Sequence, residues 1–205
     1  MSAAFRWGRR LPRLEGPRVV LRPLTLGDAP DLLAVFGDPE VCRYWSTTAL
    51  RDLAEAEELV RDVESLFRAR ELFEWGIAER SGEGVIGTAT LFHVTTANRR
   101  AEIGFAVGRA HQGRGLASEA VAILIAFAFD SLGLHRLEAD VDPRNGPSLR
   151  LLERQGFRRE GFLRERHFVG GEIQDTVLLG LLRPEWVGRP VTTAAEGARP
   201  QPGSP

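Results

Sequence analysis

The sequence predicts one α+β domain, built on a mixed central sheet of about seven strands with about four flanking helices. Three observations lead there. The 205 residues are 43% hydrophobic, enough for one well-cored domain. The apolar pattern alternates between strand-like and helix-like periods in the order β, α, α, three strands, α, β, α and two strands. Short polar connections join the three middle strands, marking an antiparallel meander, and one βαβ unit follows, whose crossover should be right-handed.

Residues 1–15 read as an N-terminal extension, 16–187 as the domain, and 188–205 as a disordered tail, because that last segment is small, Pro-rich and polar. "PRVVLRPL" is the first strand, and "TLGDAPDLLAVFGDPE" a helix begun at Thr25 or Asp28 and ended at Gly37. "LRDLAEAEELVRDVESLFRAR" is a second helix with Leu53, Leu59, Val63 and Leu66 near helical spacing. Between them "VCRYWS" is a loop. "FEWGIAE", "GVIGTATLFHV" and "RAEIGFAV" form the meander, and a helix over about 114–131, apolar on most of its circumference, should be packed between sheet and neighbours. "HRLEADV" is a strand, "NGPSLRLLERQ" a helix closed by Gly156, and "FRREGFLRERHFV" with "IQDTVLLGLLR" a final pair joined by "GGE".

Composition removes several function classes. A formal net charge of −1 with interspersed signs carries no electrostatic footprint of a nucleic-acid binder, and no apolar run is long enough to span a membrane. All 27 cationic side chains are Arg, so lysine Schiff-base and lysine general-base mechanisms are absent. The single cysteine, Cys42, allows neither an intrachain disulfide nor a cysteine metal cluster, and reads as a small semi-buried apolar residue. The start "MSAAFRWGRRLPRLEG" has a twin arginine but no apolar segment after it, so the expected location is the cytoplasm. No His/Asp/Glu spacing suggests a metal, and the composition leaves a homodimer open.

The most informative stretch is "GFAVGRAHQGRGLASEA", residues 104–120. After Val107 the chain leaves a strand, and from about Arg114 it enters a helix, so the amides of Gly113 to Ala117 sit at a helix N-terminus without intrahelical partners. Unpaired N–H groups at the positive end of a helix dipole make a phosphate site. A Cβ at Gly113 or Gly115 would hold an oxygen off those amides or forbid the required torsions, and Arg114 can add a charge-assisted bond. A dinucleotide fingerprint lacks its third glycine here, and a nucleotide P-loop needs a lysine that the chain lacks.

"QGRGLA", Gln112 to Ala117, fits the Q/R-x-x-G-x-G/A signature of the GNAT acetyltransferases. Together with "LHRLEADVDPRNGPSLRLLERQGFRREGFLRE" and "RVVLRPLTLGDAPDLLAVFGDPEVCRYWS", the chain over about residues 16–186 resembles the RimJ/RimL-like branch of that superfamily, which acetylates protein N-termini and related amines. The resemblance implies the GNAT fold. It also implies acetyl-CoA as co-substrate, with its pyrophosphate on Gln112, Gly113, Arg114, Gly115, Leu116 and Ala117. Pantetheine would lie in a splay between the strands at 102–107 and 136–141, pairing with backbone at Phe105, Ala106 and Val107.

Direct acetyl transfer needs a free-base amine, a donor for the developing oxyanion and a proton for the leaving thiolate. Deprotonation at pH 7 costs roughly 4.6 kcal/mol for a lysine amine but about 1 to 1.4 kcal/mol for an α-amine. An N-terminal amine therefore works with a weak or water-mediated base. Glu102 resembles the glutamate of the family's "AEIGY" strand and is the first candidate base; the alternative is a strand carboxylate paired with Arg99 or Arg100. His167 is the second candidate, or a surface histidine. The tyrosine acid of many GNAT enzymes is replaced by Leu152. Asn145 and Ser148 match the branch's "N-x-x-S", implying an amide bond to pantetheine and an acid near the sulfur; they also read as a helix cap. Tyr44 and Trp45 line the acceptor pocket or pack the loop onto the sheet, and His93 and His111 are taken as residues without chemistry. The expected acceptor is a protein or peptide N-terminal α-amine; a small-molecule amine acetyltransferase and a non-catalytic acyl-CoA-binding module are the alternatives.

Overall fold

The computed structural model describes residues 7–45, 48–82 and 84–186. The tail expected over 188–205 lies outside the described residues. Eight strands form one sheet in the order β1-β2-β3-β4-β5-β6-β8-β7. They are Leu14–Glu15 (β1), Val19–Pro23 (β2), Leu72–Glu79 (β3), Val85–Thr95 (β4), Arg100–Val107 (β5), Arg136–Val141 (β6), Arg158–Val169 (β7) and Glu172–Leu182 (β8). All pairings are antiparallel except β5 with β6. Among the described residues no helix is long and apolar enough to cross a membrane.

Two buried clusters flank the sheet. The larger joins Phe73, Trp75 and Ile77 of β3 to Leu124 of Leu116–Ala126 (α4) and Leu152 of Gly146–Arg154 (α5). The smaller seats Leu32 and Val35 of Ala29–Phe36 (α1), Val41 of Pro39–Cys42 (α2) and Val60 of Leu53–Ala69 (α3) on Val85 and Ala106. Cys42 belongs to this second cluster, its Sγ donating to the Phe36 carbonyl at 3.1 Å, and burial first, then Asp38, pushes its thiol pKa up.

Several boundaries depart from the sequence reading. The helix expected to start at Thr25 or Asp28 and end at Gly37 is α1, with Asp28 at its N-cap and Gly37 at its C-cap; a 3-10 turn at Leu26–Asp28 precedes it and a separate α2, not expected, follows. Pro39 holds Asp38 in an extended conformation, and the Asp38 side chain caps α2 by accepting from the Glu40 amide at 2.9 Å. Val41 and Cys42, expected in a loop, are in that short helix. The helix expected over 114–131 starts only at Leu116, because Gly113 and Gly115 take left-handed torsions, and it passes at Phe127 into a π-helical turn closed by the Leu132 amide on the Phe127 carbonyl. The eighth strand is β1. Within the segment read as an extension, Leu14 is fully buried, Trp7 stacks on Phe73 at 4.1 Å, and the Pro12 carbonyl accepts from the Trp75 indole at 2.8 Å.

Candidate active site

Parallel pairing of β5 with β6 ends at Glu102 opposite Glu138, so Ile103 to Val107 and Ala139 to Val141 diverge. That divergence opens a cleft with two lobes. One, of about 500 Å³, is bounded by Phe105, Ala106 and Val107, by Gln112, Gly113 and Gly115, and by the first turn of α4. The other, of about 320 Å³, is bounded by Glu102, Asp140, His167 and β8. Tyr44, Trp45, Phe105, Asn145 and Ser148 border both lobes, so the two meet at these side chains.

In the first lobe, Gly113 has φ +72° and Gly115 φ +78°, torsions that favour glycine. A Cβ on Gly113 would meet nothing within 4 Å, so its torsion, not crowding, requires the glycine. Glu119 is the first residue of α4 whose N–H finds a helical carbonyl, that of Gly115 at 3.1 Å. The amides of Leu116, Ala117 and Ser118 remain at the positive end of the helix, on the lining of the lobe. Arg18 ties down the other side of the turn, donating to the carbonyls of Arg114 and Gly115 at 3.0 and 3.3 Å and to Glu119 at 2.8 Å. The Gln112 side-chain Nε2 donates to the Val107 carbonyl at 2.9 Å, which fixes the strand end to the turn and occupies one of the backbone acceptors expected to be open. Arg114 does not lean over the turn: both its terminal nitrogens reach Glu79 at 2.9 Å, and this pairing holds the Glu79 carboxyl below its usual range. This lobe supplies what a pyrophosphate needs: glycine torsions, open amides and a dipole end.

In the second lobe, Glu102 accepts from or donates to neither Arg99 nor Arg100; its Oε1 lies 2.9 Å from His93 Nδ1, while Arg100 bonds Glu138. His93 owes this contact to a β-bulge, for the register with β5 shifts between Phe92 and Thr95 and His93 sits at φ +50°. The sequence reading set His93 aside because a bulge leaves no mark in apolar alternation. It also missed Asp140. Carboxylates at 138 and 140 of β6 alternate with buried Leu137, Ala139 and Val141, a period-2 signal that places both on one face, and Asp142 follows directly after the strand. Arg136 and Arg100 bind Glu138, and Arg144 binds Asp142 at 2.7 Å. Among the described residues Asp140 has one ion-pair partner, Arg166 at 4.0 Å, and burial first, then the charge of Glu102, raises its pKa.

At the junction, Asn145 caps α5, its Oδ1 accepting from the Ser148 amide at 3.2 Å. The cap uses the Ser148 backbone and leaves the Ser148 hydroxyl out of that bond. Trp45 packs edge-on against Phe36 at 5.3 Å, and Tyr44 lies near the guanidinium groups of Arg43 and Arg144, at 5.6 and 5.7 Å. Both therefore pack on neighbours and line the cleft at once. His167 stands opposite Gln174 of β8 at the edge of the second lobe. The structure thus brings Glu102, Ser148, His167, Asn145, Tyr44 and Trp45 to one cleft.

The family model described as Acetyltransferase (GNAT) domain matches residues 18–158, more than half of the chain. The chain belongs to the GNAT acetyltransferase family. It is similar to the uncharacterized N-acetyltransferase p20 of Bacillus licheniformis, 37% identical over 171 residues that make up 83% of this chain and 96% of that protein. It is 26% identical over 176 residues to the spermidine N(1)-acetyltransferase of Vibrio cholerae, covering 84% and 97% of the two chains. RimJ of Mycobacterium smegmatis, solved in complex with CoA-disulfide, matches with a TM-score of 0.76 at 28% identity, covering 83% of this chain and 87% of that one. The protein is a GNAT N-acetyltransferase with the family's α+β fold.

Proposed function

We propose that this GNAT enzyme moves an acetyl group from acetyl-CoA, by direct attack, to the N-terminal α-amine of a peptide or protein, as a member of the RimJ/RimL-like branch. One observation carries the reading: a phosphate-compatible lobe and a carboxylate-bearing lobe meet at Ser148 and Phe105. A donor entering from one side and an amine entering from the other would reach each other there without a covalent acyl-enzyme, and Cys42 is buried in a separate cluster.

Acetyl-CoA supplies a thioester carbon. Gly113, Gly115 and the amides of Leu116 and Ala117 hold its pyrophosphate, with Gln112 keeping the turn on the strand. Asn145 bonds an amide of the pantetheine arm, and the edge at Phe105, Ala106 and Val107 aligns it. Arg114 contributes charge to this lobe only by leaving Glu79. Tyr44 and Trp45 wall the acceptor side. Glu102, directly or through water, takes the proton that the amine loses as its N–C bond forms; His167 is the alternative acceptor. As the C–S bond breaks, Ser148 passes a proton to the thiolate. His93 holds Glu102 in place through its 2.9 Å contact.

The test is acetyl-CoA-dependent thiol release with peptides bearing free Ser, Ala or Met N-termini, alongside spermidine and an aminoglycoside. Turnover of a peptide class, lost in Glu102→Gln, supports the reading. A second reading has a specific observation in its favour: the second lobe is bordered by Glu102, Asp140 and Asp175, which suit a polycation, and the Vibrio cholerae relative is a spermidine acetyltransferase. Turnover of spermidine with silence on every peptide would establish it. Silence throughout, with acetyl-CoA still raising the melting temperature, would point to a non-catalytic CoA-binding module.

A further inference from the structure

β8 lays two polar side chains against the second lobe that no other part of the described molecule engages. Gln174 is 6% exposed and Thr176 2% exposed, and both line the lobe. Neither side chain has a hydrogen-bond partner among the described residues, yet neither is sealed in, so their polar atoms open onto the lobe. Buried amides and hydroxyls are ordinarily paired, because an unpaired one forfeits the hydrogen bonds it made to water. Two such groups on one strand face, two residues apart, present their hydrogen-bonding capacity to the lobe.

The register sets what lies around them. On the neighbouring β6, Asp140 stands opposite Leu178, and Leu178, Thr176 and Gln174 follow one another along the same face of β8. His167 and Leu163 of β7 are the cross-strand neighbours of Gln174 and Thr176 on the other side. The polar pair therefore continues the carboxylate face that Glu102 and Asp140 begin. A ligand whose ammonium sits by those carboxylates extends its next atoms toward Thr176 and Gln174.

We propose that Gln174 and Thr176 form a subsite that reads a neutral amide bonded close to the reacting amine, the arrangement found at the start of a peptide. Gln174 offers both a donor pair and an acceptor, and Thr176 either, so their full complement is a group that both donates and accepts. A peptide unit meets that demand. A methylene chain leaves all of these groups unpaired, and a second ammonium, which only donates, can pair the Gln174 and Thr176 acceptors but leaves the Gln174 donors unmatched. The subsite thus deepens the N-terminal α-amine reading and rests on it.

The experiment compares an alanyl peptide amide with propylamine as acceptors, reading kcat/KM for each in the wild type, Gln174→Leu and Thr176→Val. Taking the ratio of the two acceptors within each protein cancels differences in acetyl-CoA binding and folding, and Thr176→Val keeps the shape of the side chain should Gln174→Leu fold poorly. Each variant is expected to lower the peptide-to-propylamine ratio by about 10-fold or more, the usual consequence of removing a buried hydrogen-bond partner from a ligand. A ratio within about twofold of the wild type in both variants overturns the subsite while leaving peptide acetylation standing. Wild-type turnover of propylamine but of no peptide overturns the subsite and the N-terminal reading together.

Discussion

Glu74 lies inside the sheet's buried interior, 8% exposed, on a strand whose neighbours Phe73 and Trp75 belong to the main core. Burial raises its pKa from 4.5 to about 7; the Thr88 hydroxyl of β4 opposes this only partly and closes no well-formed hydrogen bond to it. The sign follows from proton counting. Between pH 4.5 and about 7 the folded chain holds a proton on Glu74 that the unfolded chain has lost, so stability falls as pH rises through that window and levels off above it. At about 1.36 kcal/mol per pH unit, the full loss is about 3 kcal/mol. Glu74→Gln removes the titration and keeps the shape. Unfolding by urea, followed at intervals from pH 4.5 to 8.5, should show the variant gaining on the wild type by about 3 kcal/mol across the range, with most of the change complete near pH 7. Parallel stability profiles would refute the reasoning, for they would mean that Glu74 titrates alike in the folded and unfolded chains.

Other expectations concern the cleft and its supports. Gly115→Asp places a carboxylate at the proposed pyrophosphate turn and should abolish acetyl-CoA binding by calorimetry; unchanged affinity would remove the phosphate cradle. Ser148→Ala should lower kcat while leaving acetyl-CoA affinity and melting temperature near wild type, because the α5 cap uses the Ser148 amide and not its hydroxyl. Asn145→Ala removes the cap acceptor itself and should cost about 1 kcal/mol, read as a melting-temperature drop of about 2 to 4 °C. Asp28 is pushed up by burial, but Arg22 at 2.6 and 2.9 Å and the Thr25 donors outweigh that and lower its pKa. Its contribution is therefore present above pH 3.8 and is lost as pH falls through its folded value, so Asp28→Asn should be less stable at pH 7 and flatter in acid, as measured by thermal unfolding.

Most of the chain's order was legible because it is local. Strand and helix periods placed β5 at 100–107 without error, and the short polar connections marked the meander of β3, β4 and β5. The glycines of "QGRGLA" mark a turn with unusual torsions in the sequence itself, since tolerance of a φ near +75° is a property of the residue. Asn145 and Ser148 were readable both as a cap and as a cleft rim, and they are a cap that borders both lobes.

What the sequence by itself determined, then, is what near neighbours along the chain determine: the elements, the family motif and the side chains that must accompany it. Only the tertiary structure decided which side chains share a cavity. His93 reaches Glu102 through a bulge in β4, Asp140 has a distant Arg166 at 4.0 Å while Glu138 and Asp142 are bound closely by arginines, and Arg114 turns from its glycine turn to Glu79. Gln174 and Thr176 face the acceptor lobe from a strand some seventy residues beyond Glu102. Each depends on register, bulges and competing ion pairs between segments far apart in sequence, and a one-residue change in register turns a side chain to the opposite face of the sheet.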